Sequence, residues 1–222
     1  MQSDVIMDNA KIHIVNAASQ SQELRMLSDS RELFMQESSA AAKIAYNEKT
    51  GKYNLKILRA PQKRYFAWLS GLKKQKINTE PLFDSLANSY TPLITEIIGS
   101  RKDLDPLITP ALVAGIMRHE STFNPYAVSS VAFGLMQVNL GAHREIPKDQ
   151  KAQIFDPKVN TTIGIRILND CFRAAKGKNP EARTKEALRK YYGGKPHAKG
   201  TNSYFADVKL HQLSYMRYLH NP

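Results

Sequence analysis

The sequence predicts a mainly α-helical chain, and three observations carry that reading. Apolar residues recur every three or four positions over residues 81–100, 109–120, 157–172 and 180–192, the period of a helix with one buried side. Each of these segments has a proline at or beside its first position, where the missing N–H is one that a helix leaves unpaired anyway. Residues 17–43 are rich in Ala, Ser, Gln, Glu and Leu and contain no strong breaker, which favours a further helix.

Taken in order, the helix over 17–43 leads into the one alternating stretch of the chain. Ile44 and Tyr46, a turn-forming run from Asn47 to Gly51, and then Tyr53, Leu55 and Ile57 read as a β-hairpin over 43–58. Ala60-Pro61 ends that extended run, and Tyr65 to Leu69 reads as a short aromatic helix. The Lys-rich, polar stretch 71–79 reads as a linker. Pro81 then opens a helix carrying Leu82, Leu86, Tyr90, Leu93 and Ile97, with its stop at Gly99-Ser100. Thr109 caps a helix whose first residue is Pro110. Leu112, Val113, Ile116, Met117 and Glu120 share one side of it. Helices over 157–172, 180–192 and 203–218 complete the chain. The expected organisation is an N-terminal helical docking region over 1–75, a connecting helix over 76–104 and one domain over 105–222.

Composition narrows the function. With 222 residues, 42% hydrophobic and 23% charged, the chain can bury a core and is not disordered throughout. The net charge of +12 points to an anionic partner or surroundings. Residues 1–108 hold 15 basic and 12 acidic residues and the remainder 17 and 8, so the excess lies in the second half. Its basic residues are scattered, which fits a general basic face better than a dedicated nucleic-acid site. Cys171 is the only cysteine; it excludes an intrachain disulfide and reads as a buried thiol on a helix face. Met1 to Asp8 lack a basic leader and an apolar core, so no signal peptide is expected, and no run approaches a membrane span.

Glu120 is the chemical candidate. It continues an apolar stripe near a helix C-terminus, where desolvation and the negative end of the backbone dipole both favour its neutral form. A carboxyl kept protonated near neutral pH is what a general acid requires. Most glutamates at helix ends are instead solvated and paired with a basic residue, so position alone does not decide. Other chemistries lack their residues. His119-Glu120 is followed by Phe123 where a His-Glu-x-x-His zinc site needs its second histidine, and Gly193-Gly194-Lys195 lacks the rest of a phosphate loop. No metal and no cofactor is expected. Tyr191-Tyr192 among basic residues could stack nucleic-acid bases, but such a patch is common by chance.

The segment Glu120-Ser121-x-Phe123-Asn124-Pro125-x-Ala127-x-Ser129, followed by Gly134-Leu135-Met136-Gln137, resembles the signature of the soluble lytic transglycosylase domain, a family with a goose-type-lysozyme-like fold. Asp156-Pro157-x-x-Asn160-x-x-x-Gly164-x-x-x-Leu168 and Ala187-Leu188-x-x-Tyr191-Tyr192-Gly193-Gly194 are similar to its later blocks, so the resemblance covers residues 105–215. It implies a lysozyme-like helical domain behind an N-terminal helical extension. It also implies an enzyme that cleaves the bond between N-acetylmuramoyl and N-acetylglucosaminyl residues of peptidoglycan, leaving a 1,6-anhydro end in preference to hydrolysis. Glu120 would be its acid and then its base, and Tyr191 would reach Glu120 with its hydroxyl or steady positive charge near the anomeric carbon. Ser121 and Phe123 would shape the turn. Ser129 and Gln137 would hydrogen-bond sugar groups, and Gly134, Leu135 and Met136 would line the cleft, with Asn139 and Tyr192 also at the substrate.

The chain departs from the pattern in three places. The stretch between Ser129 and Gly134 is one residue short, Tyr192 stands in place of a common Asn, and Asn139 sits near a usual Pro. The resemblance implies no cofactor and peptidoglycan strands as partner, with no membrane span. With no leader expected, the preferred setting is a phage virion or tail acting at the host wall, and a secretion or conjugation apparatus is second, with the N-terminal region docking to a partner in either. The alternative is a catalytically weak wall-binding or structural module.

Overall fold

Eight helices and two two-stranded hairpins make up the structure, a computed structural model that describes residues 2–193 and 201–220, with side chains over 21–193 and 203–217. In chain order they are α1 (Gln2–Ala45), β1 (Tyr46–Asn47), β2 (Lys52–Tyr53), α2 (Leu55–Lys74), α3 (Glu80–Gly99), α4 (Pro110–Ser121), β3 (Ala132–Phe133), β4 (Val138–Asn139), α5 (Lys148–Ala152), α6 (Pro157–Arg173), α7 (Pro180–Tyr191) and α8 (Thr201–His220). Both hairpins are antiparallel, with Tyr46 facing Tyr53 and Phe133 facing Val138. The mainly helical fold expected from the sequence is the one observed. Gly194 and Lys195, which the sequence reading singled out, lie outside the described residues.

The N-terminal third differs from expectation in a specific way. The hairpin is only two residues deep on each side, and Leu55 and Ile57 are helical. The Asn54 side chain accepts from the Lys56 N–H and starts α2 there. From that point the buried residues Leu58, Pro61, Tyr65 and Leu72 follow the helical period, and burial of that stripe overrides the short alternation before it. Pro61 lies inside α2 and does not break it, and the separate helix at 65–69 and much of the linker are absorbed into the same element. α1 and α2 run antiparallel: Ala45 and Leu58 share one cluster while Leu27 and Leu72 share another.

Helix α4 is the axis of the core. Leu112, Val113, Ala114, Ile116 and Met117 are all buried, against Ile94 and Ile97 of α3, Ile165, Leu168 and Phe172 of α6, Leu188 of α7 and Tyr204 and Val208 of α8. Each fully buried large side chain contributes about 1.5–3 kcal/mol. Gly115 brings α8 to backbone contact, since a Cβ there would stand 2.8 Å from the Val208 carbonyl oxygen. A second cluster joins Ala45 and Leu58 to Val128, Phe133, Val138, Ile154 and Ile163. The N-terminal hairpin thus shares a core with the second half of the chain. Among the described residues no helix is long and apolar enough to cross a membrane.

Candidate active site

Helix α4 sets the position of Glu120. Thr109 Oγ1 accepts from the Leu112 N–H and Pro110 follows as the first helical residue, as the sequence predicts. The helix ends at Thr122, whose left-handed backbone returns its N–H to the Arg118 carbonyl. Phe123 is left-handed as well, with φ of 50° at Thr122 and 56° at Phe123. Two such residues in sequence, neither of them glycine, cost about 1–2 kcal/mol each. Ser121 turns inward, donating from Oγ to the Met117 carbonyl at 2.9 Å, and Phe123 is buried against a stacked Tyr90 ring.

Glu120 opens onto a cleft whose walls include Ser129, Val131, Gln137, Asn139, His143, Lys190, Tyr191 and Tyr192. Among the described lining residues Glu120 is the one carboxylate. Burial pushes its pKa from 4.5 up to about 7, opposed by a hydrogen bond from the Tyr204 hydroxyl, which donates to Oε1 at 2.7 Å. The apolar surround thus outweighs the one bond that favours the charged form. Near pH 7 the carboxyl is present in both states, which is the condition a group needs to give a proton and then take one back.

Two tyrosines stand beside it. Tyr191, at the end of α7, donates its hydroxyl to the Met136 carbonyl at 2.7 Å, so the direct hydroxyl contact expected of Tyr191 is made by Tyr204 instead. Burial and the nearby Glu120 charge hold both phenols well above their usual pKa, and both remain donors. Tyr192 is 47% exposed and lies 4.9 Å from the Tyr204 ring, and His119 meets Tyr204 edge-on at 4.7 Å. His119 sits 3.8 Å from Asp207, yet burial lowers its pKa and favours the neutral ring.

The loop opposite Glu120 is held from beneath. Asn160 of α6 accepts from the Met136 N–H at 2.9 Å and donates to the Phe133 and Ile154 carbonyls at 2.9 and 3.0 Å. Gly134, with φ of 79°, passes so close to Asn160 that a Cβ would overlap its amide. Leu135 and Met136 are fully buried in the core rather than lining the cleft, since this turn drives their side chains inward against α4 and α6. Gln137 uses its amide hydrogens on the Ala127 and Gly134 carbonyls, each at 3.1 Å, and so presents its amide oxygen as an acceptor. The shortened stretch is closed by Ser129, whose N–H donates to the Ala132 carbonyl at 2.9 Å and whose Oγ accepts the Ala132 N–H at 3.0 Å. Asn139 folds its side-chain oxygen onto the Gly141 and Ala142 N–H groups, both at 3.0 Å.

The structure therefore brings Glu120, Ser129, Gln137, Asn139, Tyr191 and Tyr192 to one cleft, and places Ser121, Phe123, Gly134, Leu135 and Met136 in its supporting core. Tyr204, Lys190 and His143 were not anticipated; only the helical register of Tyr204 on an apolar face hinted at it. Cys171 lines the cleft as well, but burial pushes its pKa up to about 11, which keeps it a thiol.

Residues 101–210 match the Transglycosylase SLT domain family. The chain is 35% identical over 124 residues to membrane-bound lytic murein transglycosylase C of Pectobacterium atrosepticum, an alignment covering 50% of this chain and 33% of that protein. It is 30% identical over 122 residues to type IV secretion system protein virB1 of Brucella abortus, covering 40% and 50%. A further transglycosylase C, from Photorhabdus laumondii, is 37% identical over 95 residues, covering 39% and 25%. The chain thus spans half or less of the length of these relatives, and no solved structure gives a significant match. With the match beginning ahead of α4 and running into α8, and the mainly helical fold and Glu120 cleft lying within it, the chain belongs through residues 101–210 to the lysozyme-like transglycosylase SLT domain family.

Proposed function

We propose that the protein is a peptidoglycan lytic transglycosylase acting on the β-1,4 bond between N-acetylmuramoyl and N-acetylglucosaminyl residues. Glu120 gives its proton to the bridging oxygen as the bond from that oxygen to C1 breaks. The resulting carboxylate then takes the proton of the C6 hydroxyl as the C6 oxygen bonds to C1. The acid ends protonated, no water is consumed, and the new end is a 1,6-anhydro ring. Ordinary glycosidases need a second carboxylate about 5–9.5 Å from the first. The observation that carries the proposal is a single buried carboxyl, with its pKa raised to about 7, facing an open cleft.

Tyr204 aims the carboxyl, and Tyr191 ties α7 to the Gly134–Gln137 turn, so that acid and loop keep a fixed separation. Gln137 Oε1 and the Ser129 hydroxyl are placed to accept and donate at the sugar. The test is Glu120→Gln, which keeps shape and hydrogen bonding but holds no transferable proton. Clearing of purified sacculi should fall by about 10²–10⁴-fold while pelleting with the same sacculi persists. Undiminished clearing by Glu120→Gln would sink the mechanism, and pelleting without clearing by the wild type would favour the wall-binding module.

The proposed setting is a machine that must cross the wall. A relative named for a type IV secretion system supports a secretion or conjugation apparatus. The virion setting expected from the sequence has no such support among these relatives.

A further inference from the structure

We infer that the α1–α2 hairpin is a working part of the catalytic centre, with Arg31 as the positioning residue that fixes the turn after Glu120; this rests on the acid role proposed above. The segment from Thr122 to Ser129 connects the end of the acid's helix to the cleft wall. It begins with two consecutive left-handed residues, a conformation that persists only where the surroundings over-determine it.

Those surroundings come from α1 and α2. Arg31 Nη2 donates to the Phe123 carbonyl at 2.6 Å, and the Tyr65 hydroxyl donates to the Thr122 carbonyl at 3.4 Å. Further along, Gln62 Oε1 accepts the Val128 N–H at 3.0 Å and Arg59 Nη2 donates to the Ser129 carbonyl at 3.3 Å. Four bonds from the hairpin therefore meet one eight-residue segment, at its start and at its cleft end. The family match begins at residue 101, so all four originate outside it.

Arg31 is the decisive member because its placement is expensive. It is only 8% exposed, it donates to the Phe123 carbonyl, and its Nε has no partner among the described residues. A buried guanidinium without a carboxylate beside it is a poor way to stabilise a core. A planar donor fork is, however, well suited to gripping a buried backbone carbonyl rigidly. Tyr90 stacks on the Phe123 ring at 6.0 Å and 11° while Arg31 holds the Phe123 carbonyl, so side chain and carbonyl of Phe123 are clamped together. Glu120 stands three residues before that clamp.

The experiment uses the full chain. Arg31→Met is compared with Arg31→Lys, and with Leu72→Ala, which weakens the α1–α2 core without touching the segment. Each is measured at a temperature where it is folded, for kcat and KM on peptidoglycan and for the Glu120 pKa by NMR titration. Arg31→Met should lower kcat about tenfold or more with KM little changed, and its Glu120 pKa should fall from about 7 towards 4.5 as water reaches the loosened turn. Arg31→Lys should restore most of both, and Leu72→Ala should leave both as in the wild type. If Arg31→Met does not fold, Gln62→Leu takes its place in the same comparison. A wild-type kcat and Glu120 pKa in the folded Arg31→Met protein would overturn the inference, as would an equal loss in Leu72→Ala. Should the wild type cleave nothing, the acid role fails on its own, and the titration still decides whether the hairpin holds the carboxyl.

Discussion

The Tyr204 hydroxyl of α8 donates to Glu120 Oε1 of α4 at 2.7 Å, across 84 residues of sequence. Contact at that distance depends on Gly115, where α8 lies against the backbone of α4. The bond favours the charged carboxylate and burial opposes it, with burial the larger. Tyr204 therefore aims the acid and trims its pKa.

Replacing Tyr204 by Phe keeps the ring between His119 and Tyr192 and removes only the hydroxyl. The Glu120 pKa should rise above about 7, so the alkaline limb of the pH profile of kcat/KM should move to higher pH. The maximal rate should fall roughly tenfold as the carboxyl loses its aim. An alkaline limb that stays or moves to lower pH would show that Tyr204 does not act on Glu120.

Glu120 also makes stability depend on pH. Its folded pKa of about 7 lies above the ordinary 4.5, so the native state binds the proton more tightly than the unfolded chain. That contribution is fully present below pH 4.5 and is lost as pH rises through about 7. Glu120→Gln removes the dependence. At about pH 8 the variant should be the more stable by up to about 3 kcal/mol, and the difference should vanish at about pH 4. Denaturant midpoints across this range give the answer, and a gap that widens towards acid would contradict the assigned shift.

Asn160→Ala should destabilise the protein by about 3 kcal/mol or more, because the Met136 N–H and the Phe133 and Ile154 carbonyls lose a buried partner together. Cleavage should weaken at temperatures where the variant is folded, since Gln137 sits on the turn that Asn160 holds. Chemical denaturation and a sacculus-clearing assay measure the two effects. A loss below about 1 kcal/mol would mean that water replaces the side chain.

What the sequence made legible was local. Thr109, Pro110 and the apolar stripe up to Glu120 state helix α4 in a dozen consecutive residues, and the cap and the burial follow as read. What it hid depended on distance or on competition between patterns. Tyr53, Leu55 and Ile57 alternate as a strand would, and only the buried stripe from Leu58 to Leu72 shows why the chain turns helical at Asn54. The family resemblance puts Leu135 and Met136 in the cleft, but the turn stapled by Asn160 faces them into the core. Tyr204 and Arg31 each read as one more helical side chain until the fold places them on Glu120 and on Phe123.

Mass spectrometry of the soluble fragments released from purified peptidoglycan by the wild-type chain tests the central claim most directly. One-carboxylate chemistry at Glu120 predicts muropeptides one water lighter than hydrolysis products, ending in 1,6-anhydro-N-acetylmuramic acid and absent when Glu120 is Gln. Fragments with ordinary reducing ends, or anhydro ends that persist in Glu120→Gln, would contradict it.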